Sequence, residues 1–440
     1  MSILSTPLRR TAVLDAMVSA VLFGALAVAG PVYAETSIKD LGSAGAEPPL
    51  GKRIVAVGDI HGAYNGVRTI LREAALLDDE DDWAGADAIL VQTGDFLDRG
   101  PGAVDVARLL MKLQRQAPES GGEVVVLLGN HEVLNLIGDL RDVTEEILDD
   151  FVDRHSEKRL EVSCNEYVAL KRRWAAARDE KPPSRRELRD KCFAEQHLGE
   201  VEYLEEVGPQ GEIGRWLRSL PSAVRIGGVV FVHGGISPEL AGRALEQINA
   251  DVRREIDALD HAREHLLDRG LILPTSSLPE MLAAARAVQR SDAEAAGNRT
   301  LTPPEIRQLL EIDEWQMIRD DGPLWFRGYA RWNEDQGREL MPAILESLGA
   351  EHVVVAHTPQ RSKRITTRFD DRVFLIDTGM LTSVYKGAPS ALEIRDGRFT
   401  AVYIARETVL LDADEEDSDA DADADADAGD PGTALTASSK

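Results

Sequence analysis

Ile54-Val55-Ala56-Val57-Gly58-Asp59-Ile60-His61-Gly62 decides the fold: an apolar, largely β-branched run that ends in Asp-x-His within a glycine-flanked turn. The pattern recurs twice within 75 residues. Ala88-Ile89-Leu90-Val91 leads into Gly94-Asp95-Phe96-Leu97-Asp98-Arg99-Gly100, and Val124-Val125-Val126-Leu127-Leu128 leads into Gly129-Asn130-His131-Glu132. Two later runs repeat the grammar with one histidine each: Val229-Val230-Phe231-Val232-His233-Gly234-Gly235 and Val353-Val354-Val355-Ala356-His357-Thr358-Pro359. Short continuous apolar runs read as parallel strands buried on both faces. Their polar residues then sit in loops at the carboxyl ends of the strands, where open α/β sheets bind ligands. One Asp or His after a strand is often only a helix cap. Five such ends in order, offering carboxylate, amide and imidazole, can gather the ligands of two metal ions.

The rest of the chain is arranged around this ladder. Residues 35–51 read as an extended linker, and the body begins at Lys52. Val67, Ile70, Leu71 and Ala74 have helical spacing, which predicts a helix over 65–77; Ala103 to Gln116 predicts a second, with Pro101 near its first turn. Asp78 to Asp82 lacks the alternating ligands and glycine of a calcium loop and reads as a solvated turn. Residues 133–222 form a long, charged, mostly helical insertion; its basic run Leu170 to Trp174 reads as a solvated helix face, with a partner-binding patch as the alternative. Val224 to Val232, broken by Gly227-Gly228, reads as a hairpin; 239–320 is helical; 353–356, 373–376, 390–395 and 399–404 are the last strands.

A formal charge of −27 excludes a nucleic-acid binder, which needs a basic footprint. Eleven of the acids lie in residues 412–440 beside a single base, and the Asp-Ala repeats from 411 onward are expected to be disordered. The first 34 residues resemble a secretory leader, with Arg9-Arg10, an apolar stretch from Met17 to Gly30 and Val32-Tyr33-Ala34 as a cleavage site. Export to the periplasm or the outside follows, with no membrane span after cleavage; an uncleaved anchor is the competing reading. In an oxidising compartment Cys164 and Cys192 either pair or remain as two buried thiols. Asn298-Arg299-Thr300 is a glycosylation sequon by pattern.

The ladder resembles the calcineurin-like metallophosphoesterases and, within them, the phosphoprotein phosphatase branch over roughly residues 52–405. That resemblance implies a four-layer αββα sandwich of two mixed sheets with flanking helices. It implies that Asp59 and His61 hold one metal, that Asp95 bridges both, and that Asn130, His233 and His357 complete the second site. A bridging water would then lose its proton near neutral pH and attack phosphorus directly. Oxygen and imidazole ligands without thiolate suit manganese, iron or zinc, with manganese preferred. His131 is the expected general acid, oriented by Asp98, and Arg99 with Asn130 is expected to bind the phosphate. His357 is followed by Thr358 rather than by the Gly-His-x-His of many relatives, and Ala356 stands where glycine is usual.

Asp321 to Tyr329, together with Phe231-Val232-His233-Gly234-Gly235-Ile236 and Ile248-Asn249, looks like the Shewanella-like protein phosphatases. On that likeness Arg327 is a second candidate for the phosphate, and Trp325, Phe326 and Tyr329 form either an aromatic wall for a phosphotyrosine ring or ordinary packing. Signatures that distinguish the eukaryotic serine/threonine branch are not recognisable after His233. The expected substrates are phosphorylated proteins or small phosphomonoesters. A nucleotide or dinucleoside polyphosphate hydrolase is the enzymatic alternative, and a catalytically silent phosphoprotein-binding module the non-enzymatic one.

Overall fold

Residues 51–296 and 302–412 are described by the computed structural model, and all of them belong to the compact unit Ala44–Lys440. The leader, nearly all of the linker, the sequon at Asn298 and the tail beyond Asp412 lie outside the described residues. Strand β1 (Ile54–Val57), helix α1 (Tyr64–Glu73), β2 (Ile89–Gln92), α2 (Ala103–Gln116) and β3 (Glu123–Val126) form two successive parallel crossover units. Helix α1 stops before its predicted end because Ala75 turns left-handed (φ 48°) and Leu77 pairs with Trp83 across an isolated bridge. Between β3 and the next strand run α3 (Asn130–Leu136), α4 (Glu145–Asp149), α5 (Ser156–Ala177), α6 (Arg185–Glu195), α7 (Glu200–Val207) and α8 (Glu212–Ser219).

The hairpin β4 (Ala223–Ile226) and β5 (Val229–Val232) opens the second sheet, followed by α9 (Leu245–Asp268), α10 (Leu278–Ala296) and α11 (Pro304–Leu310). Then come β6 (His352–Val355), β7 (Thr366–Arg368), β8 (Val373–Leu375), β9 (Ser390–Arg395), β10 (Arg398–Tyr403) and β11 (Arg406–Leu411). Strands β7 and β11 were not foreseen: each is an edge strand with no fully buried residue, β7 carries no apolar run and β11 only the short Val409-Leu410-Leu411 after three polar residues. Leu411, expected in the tail, is instead the last residue of β11.

One sheet is ordered β11-β10-β9-β1-β2-β3 and the other β4-β5-β6-β8-β7. Each has a parallel centre (β1-β2-β3; β5-β6-β8), flanked by antiparallel strands on one side in the first sheet, where β3 is the edge, and on both sides in the second. The period-two alternation of strand side chains explains the layering. Ile54, Ala56, Ile89, Val91 and Val125 meet Val224, Phe231, Val354 and Phe374 in a core between the sheets. Val55, Val57, Leu90, Val124 and Val126 face the other way, against α1, α2 and the insertion. Val230, Val232, Val353 and Val355 pack under the helix Glu334–Leu348. Helix, sheet, sheet and helix therefore stack in that order, and the carboxyl ends of both parallel centres open on one edge. Among the described residues no helix is long and apolar enough to cross a membrane.

A disulfide joins Cys164 on α5 to Cys192 on α6, settling the pairing that the sequence left open. With Leu160 it forms a small cluster apart from the three main cores. Cross-linking residues 28 apart in sequence should contribute roughly 3 kcal/mol by restricting the unfolded chain. Replacing both cysteines with serine should lower the urea unfolding midpoint accordingly; an unchanged midpoint would contradict this.

Candidate metal centre

Each strand of the two parallel centres delivers its polar residues to the same edge. Asp59 and His61 follow β1, Asp95, Asp98 and Arg99 follow β2, and Asn130 and His131 follow β3 at the start of α3. His233 follows β5, and His357 follows β6. These loops are shaped by left-handed backbone at His61 (φ 47°), Asp95 (56°), Asp98 (66°), Arg99 (67°) and His357 (64°). Conformations of that kind are uncommon outside glycine and cluster at functional sites. Ala356 replaces the usual glycine without strain because the positive φ falls on its neighbour. Gly62 is required: its φ is +68° and a Cβ would run into the Gly100 carbonyl.

A fully buried carboxylate holds two of these loops in place. Glu132 Oε2 accepts the N–H groups of Asp95 and Gly129 (both 2.8 Å), and Oε1 those of Phe96 and Leu97 (both 3.0 Å). The β1 loop is locked to the same segment, since the Asp95 carbonyl accepts the N–H groups of Ile60 and His61 (2.9 and 3.0 Å).

Hydrogen bonds to main-chain carbonyls set the imidazole tautomers. His233 Nδ1 donates to Thr93 O (2.9 Å), His61 Nδ1 to Leu97 O (3.1 Å) and His357 Nε2 to Trp325 O (3.2 Å). The opposite nitrogen of each ring therefore offers a lone pair. His233 Nε2 lies 3.0 Å from Asn130 Oδ1, 3.1 Å from His357 Nδ1 and 3.3 Å from Asp95 Oδ2. Four acceptors facing one another at such distances are reconciled by a cation. Asp95 Oδ2 also lies 3.7 Å from His61 Nε2 and 3.9 Å from His131 Nε2. Two clusters that can hold metal, His61-Asp95-His131 and Asp95-His233-His357, thus share one carboxylate. Asp59 borders both, with Oδ2 3.9 Å from His61 Nε2 and Oδ1 accepting the His357 N–H (3.0 Å).

Burial, the Asp95 and Asp98 carboxylates and the neighbouring cations separate the histidines into two kinds. Burial, helped by His131 and Arg99, lowers His61 to about 3; burial, His233 and Arg327 lower His357 to about 2. For His131 the same burial is outweighed by Asp95 and Asp98, and its pKa is raised. At neutral pH His61 and His357 are neutral, whereas His131 holds its proton longer. Burial would raise Asp95, but the imidazoles of His233 and His131 outweigh it and keep that carboxyl well below its usual value.

His131 Nδ1 donates to Asp98 Oδ2 (2.7 Å), so Nε2 faces the cluster. The other Asp98 oxygen accepts from Asn135 Nδ2 (2.8 Å), and Asn135 Oδ1 accepts from Tyr203 Oη (2.6 Å). This buried chain ties the histidine to α7 of the insertion. Asp98 and Arg99 do not pair with each other. Arg99 Nη1 reaches His61 Nε2 (2.8 Å) and the hydroxyl of Tyr385, whose ring stacks on His61 with centroids 5.7 Å apart. Arg327, half-buried, donates to His357 O (2.8 Å) and Thr358 Oγ1 (3.1 Å), and forms no ion pair with a carboxylate among the described residues.

Of the two readings left open for Trp325, Phe326 and Tyr329, packing holds for Phe326 and Tyr329. Tyr329 is fully buried, with its hydroxyl donating to Ile236 O (2.7 Å), and Phe326 packs against it and Trp332 beneath the second sheet. Trp325 alone approaches the cluster, edge-on to His357 at 6.1 Å. Their alternating direction along an irregular loop has no sequence period to reveal it. Sequence reading also passed over Glu132, Asn135, Tyr203, Tyr385 and Asp377, the last buried beside Asp59. Asp377 had a signal, for Val373-Phe374-Leu375-Ile376-Asp377-Thr378-Gly379 is another apolar run ending in Asp-x-Gly. Tyr203 had none: it reaches the site only through the tertiary fold of the insertion.

The calcineurin-like phosphoesterase profile matches residues 52–361. Shewanella-like protein phosphatase 1 of Plasmodium berghei is 25% identical over 362 residues, covering 81% of this chain and 75% of that protein. Shewanella-like protein phosphatase 2 of Arabidopsis thaliana is 33% identical over 217 residues, 48% of this chain and 54% of its own length. Among solved structures, a cold-active protein-tyrosine phosphatase of a psychrophilic Shewanella species superposes with a TM-score of 0.52 at 24% identity, covering 82% of this chain and 80% of that one.

Glu132→Gln turns one of two accepting oxygens into a donor that faces N–H groups. Losing charge-assisted bonds at a buried position should cost about 3 kcal/mol, read as urea unfolding of chelator-stripped protein. A change below about 0.5 kcal/mol, the scale of an inconsequential surface substitution, would contradict the role of this carboxylate.

Proposed function

Because this chain belongs to the calcineurin-like phosphoesterases, and is thus a metal-dependent phosphoester hydrolase, we propose that it is a dinuclear phosphomonoesterase acting on phosphorylated protein side chains. The observation that carries the reading is the Asp95 carboxylate shared by two clusters of metal-binding residues. Asp59, His61 and Asp95 would hold one cation; Asp95, Asn130, His233 and His357 would hold the other. The all-oxygen-and-imidazole donor set favours manganese, with iron and zinc compatible. When bound, the two divalent cations neutralise phosphoryl charge and lower the pKa of the attacking water.

The remaining groups have separable tasks. Arg99, fixed by Tyr385 and by its own N–H bond to Asp142 O (2.9 Å), presents a planar guanidinium suited to two phosphate oxygens. Arg327, which donates to the His357 carbonyl, would contact the phosphate from that side, and Asn130 would offer an amide to the same group. His131, its proton held by Asp95 and Asp98, donates from Nε2 to the departing alcohol oxygen. Asp98 fixes the ring that donates it. Cleavage is then a single displacement at phosphorus, with no covalent phosphoenzyme.

Protein substrates are favoured over dinucleoside polyphosphates because the resemblance to a Shewanella-like protein phosphatase runs over 362 residues, far beyond the first three strand ends at residues 54–132. Export is supported by the leader-like first 34 residues and by the Cys164–Cys192 disulfide, a bond that persists in oxidising compartments.

Two substitutions test the mechanism. Asp95→Asn should abolish turnover, by at least about 10³-fold, the scale on which a single electrostatic group at a reacting centre acts, while leaving the far-UV circular dichroism unchanged. Near-normal turnover would refute the shared-ligand assignment. His131→Asn should slow an alkyl substrate such as a phosphoseryl peptide by about 10²–10⁴-fold, the usual worth of general acid catalysis, and an activated nitrophenyl ester much less. Equal losses on both substrates would reject the proton-donor role.

A further inference from the structure

Two carboxylates, Asp59 and Asp95, serve as metal ligands in the proposed function, and a third beside them is left without a task. Asp377 follows β8, the last strand of the second parallel centre, and is 2% exposed. Its Oδ1 accepts the Gly379 N–H (2.9 Å). Its Oδ2 is buried and, among the described residues, has no hydrogen-bond partner besides the Asp59 carboxyl packed against it.

The Asp377 carboxyl packs against that of Asp59, with Asp95 close enough to repel both. The backbone enforces this contact, for a Cβ on Gly58 would stand 2.9 Å from the Ile376 carbonyl, so β1 and β8 end side by side. No lysine or arginine forms an ion pair with either Asp59 or Asp377 among the described residues. Two carboxyl groups placed together, dry and without a cation, are costly to bury. A divalent ion resolves every part of that arrangement at once: the like charges, the oxygen without a donor and the dry surroundings.

We propose that Asp377 belongs to the first metal site and supplies that cation with an anionic oxygen alongside Asp59. The inference rests on the dinuclear reading of Proposed function and deepens it. There the second position draws on Asp95, Asn130, His233 and His357, and the first only on Asp59, His61 and Asp95. With Asp377 the two positions each draw on four residues, and the first becomes richer in hard carboxylate oxygen. That composition favours manganese over softer-liganded ions at this position.

The test is a calorimetric titration of Mn²⁺ into chelator-stripped full-length protein, as wild type and as Asp377→Asn, with the melting temperature of each metal-free form. Asparagine keeps the oxygen that bonds Gly379 and removes the charge. Wild type should bind two ions per chain. Asp377→Asn should keep one tight ion and bind the second about 10–100-fold more weakly, the range expected when a supporting group of a metal site is removed. Its metal-free form should melt at or above the wild-type temperature, because a repulsion has been relieved. Two ions at wild-type affinity in Asp377→Asn would overturn the proposal. So would weakened binding with a metal-free melting temperature below wild type, which marks a structural carboxyl. A wild type that does not take up two ions would instead bring down the dinuclear reading, and this inference with it.

Discussion

Four backbone N–H groups from two loops converge on the buried carboxylate of Glu132, and the geometry of the centre follows from that convergence. Asp95 must leave β2 in a left-handed conformation if its side chain is to turn inward between the two sheets. A non-glycine residue pays roughly 1–2 kcal/mol for this conformation. A charge-assisted hydrogen bond returns about 1.5–3 kcal/mol, so the bonds from Asp95, Phe96 and Leu97 outweigh the strain. The Asp95 carbonyl, oriented in the process, then fixes the β1 loop that carries His61. Glu132 thus supports, through the Asp95 backbone, a candidate metal-site residue that it does not touch.

The second constraint is electrostatic. Asp59, Asp95 and Asp377 are gathered in a dry pocket whose histidines mostly present lone pairs rather than protons. Burial and the neighbouring Asp377 and Asp95 carboxylates hold Asp59 well above the usual carboxylate range, and burial pushes Asp377 up to about 6. The fold therefore spends stability on a site that bound cations would relieve. His131 is the exception among the histidines. The Asp95 carboxylate nearby, together with an Nδ1 engaged by the Asp98 carboxylate instead of a carbonyl, gives it a raised pKa while His61 and His357 are lowered.

How much of this was legible depended on whether sequence order mirrors spatial order. Parallel strands buried on both faces announce themselves as unbroken apolar runs, so β1, β2, β3, β5 and β6 and the polar residues just after them could be read directly. At the sheet edges β7 carries no such run, and in β11 the short Val409-Leu410-Leu411 follows three polar residues and is nowhere fully buried. The supports of His131 were opaque for a different reason. Asn135 is one helical turn away, but Tyr203 lies 72 residues downstream and meets it only because α7 folds back over α3. Phe326 and Tyr329 looked like substrate contacts because aromatic residues near a site motif carry no sign of which way they face; one points into the core with a satisfied hydroxyl and the other packs on it.

The central claim is that one carboxylate, Asp95, joins two cation positions. Anomalous scattering at the manganese edge from crystals grown with Mn²⁺ measures this directly. Two peaks on opposite sides of the Asp95 carboxylate, one next to His61 and the other next to His233 and His357, are the predicted result. A single peak, or peaks remote from Asp95, would contradict the account.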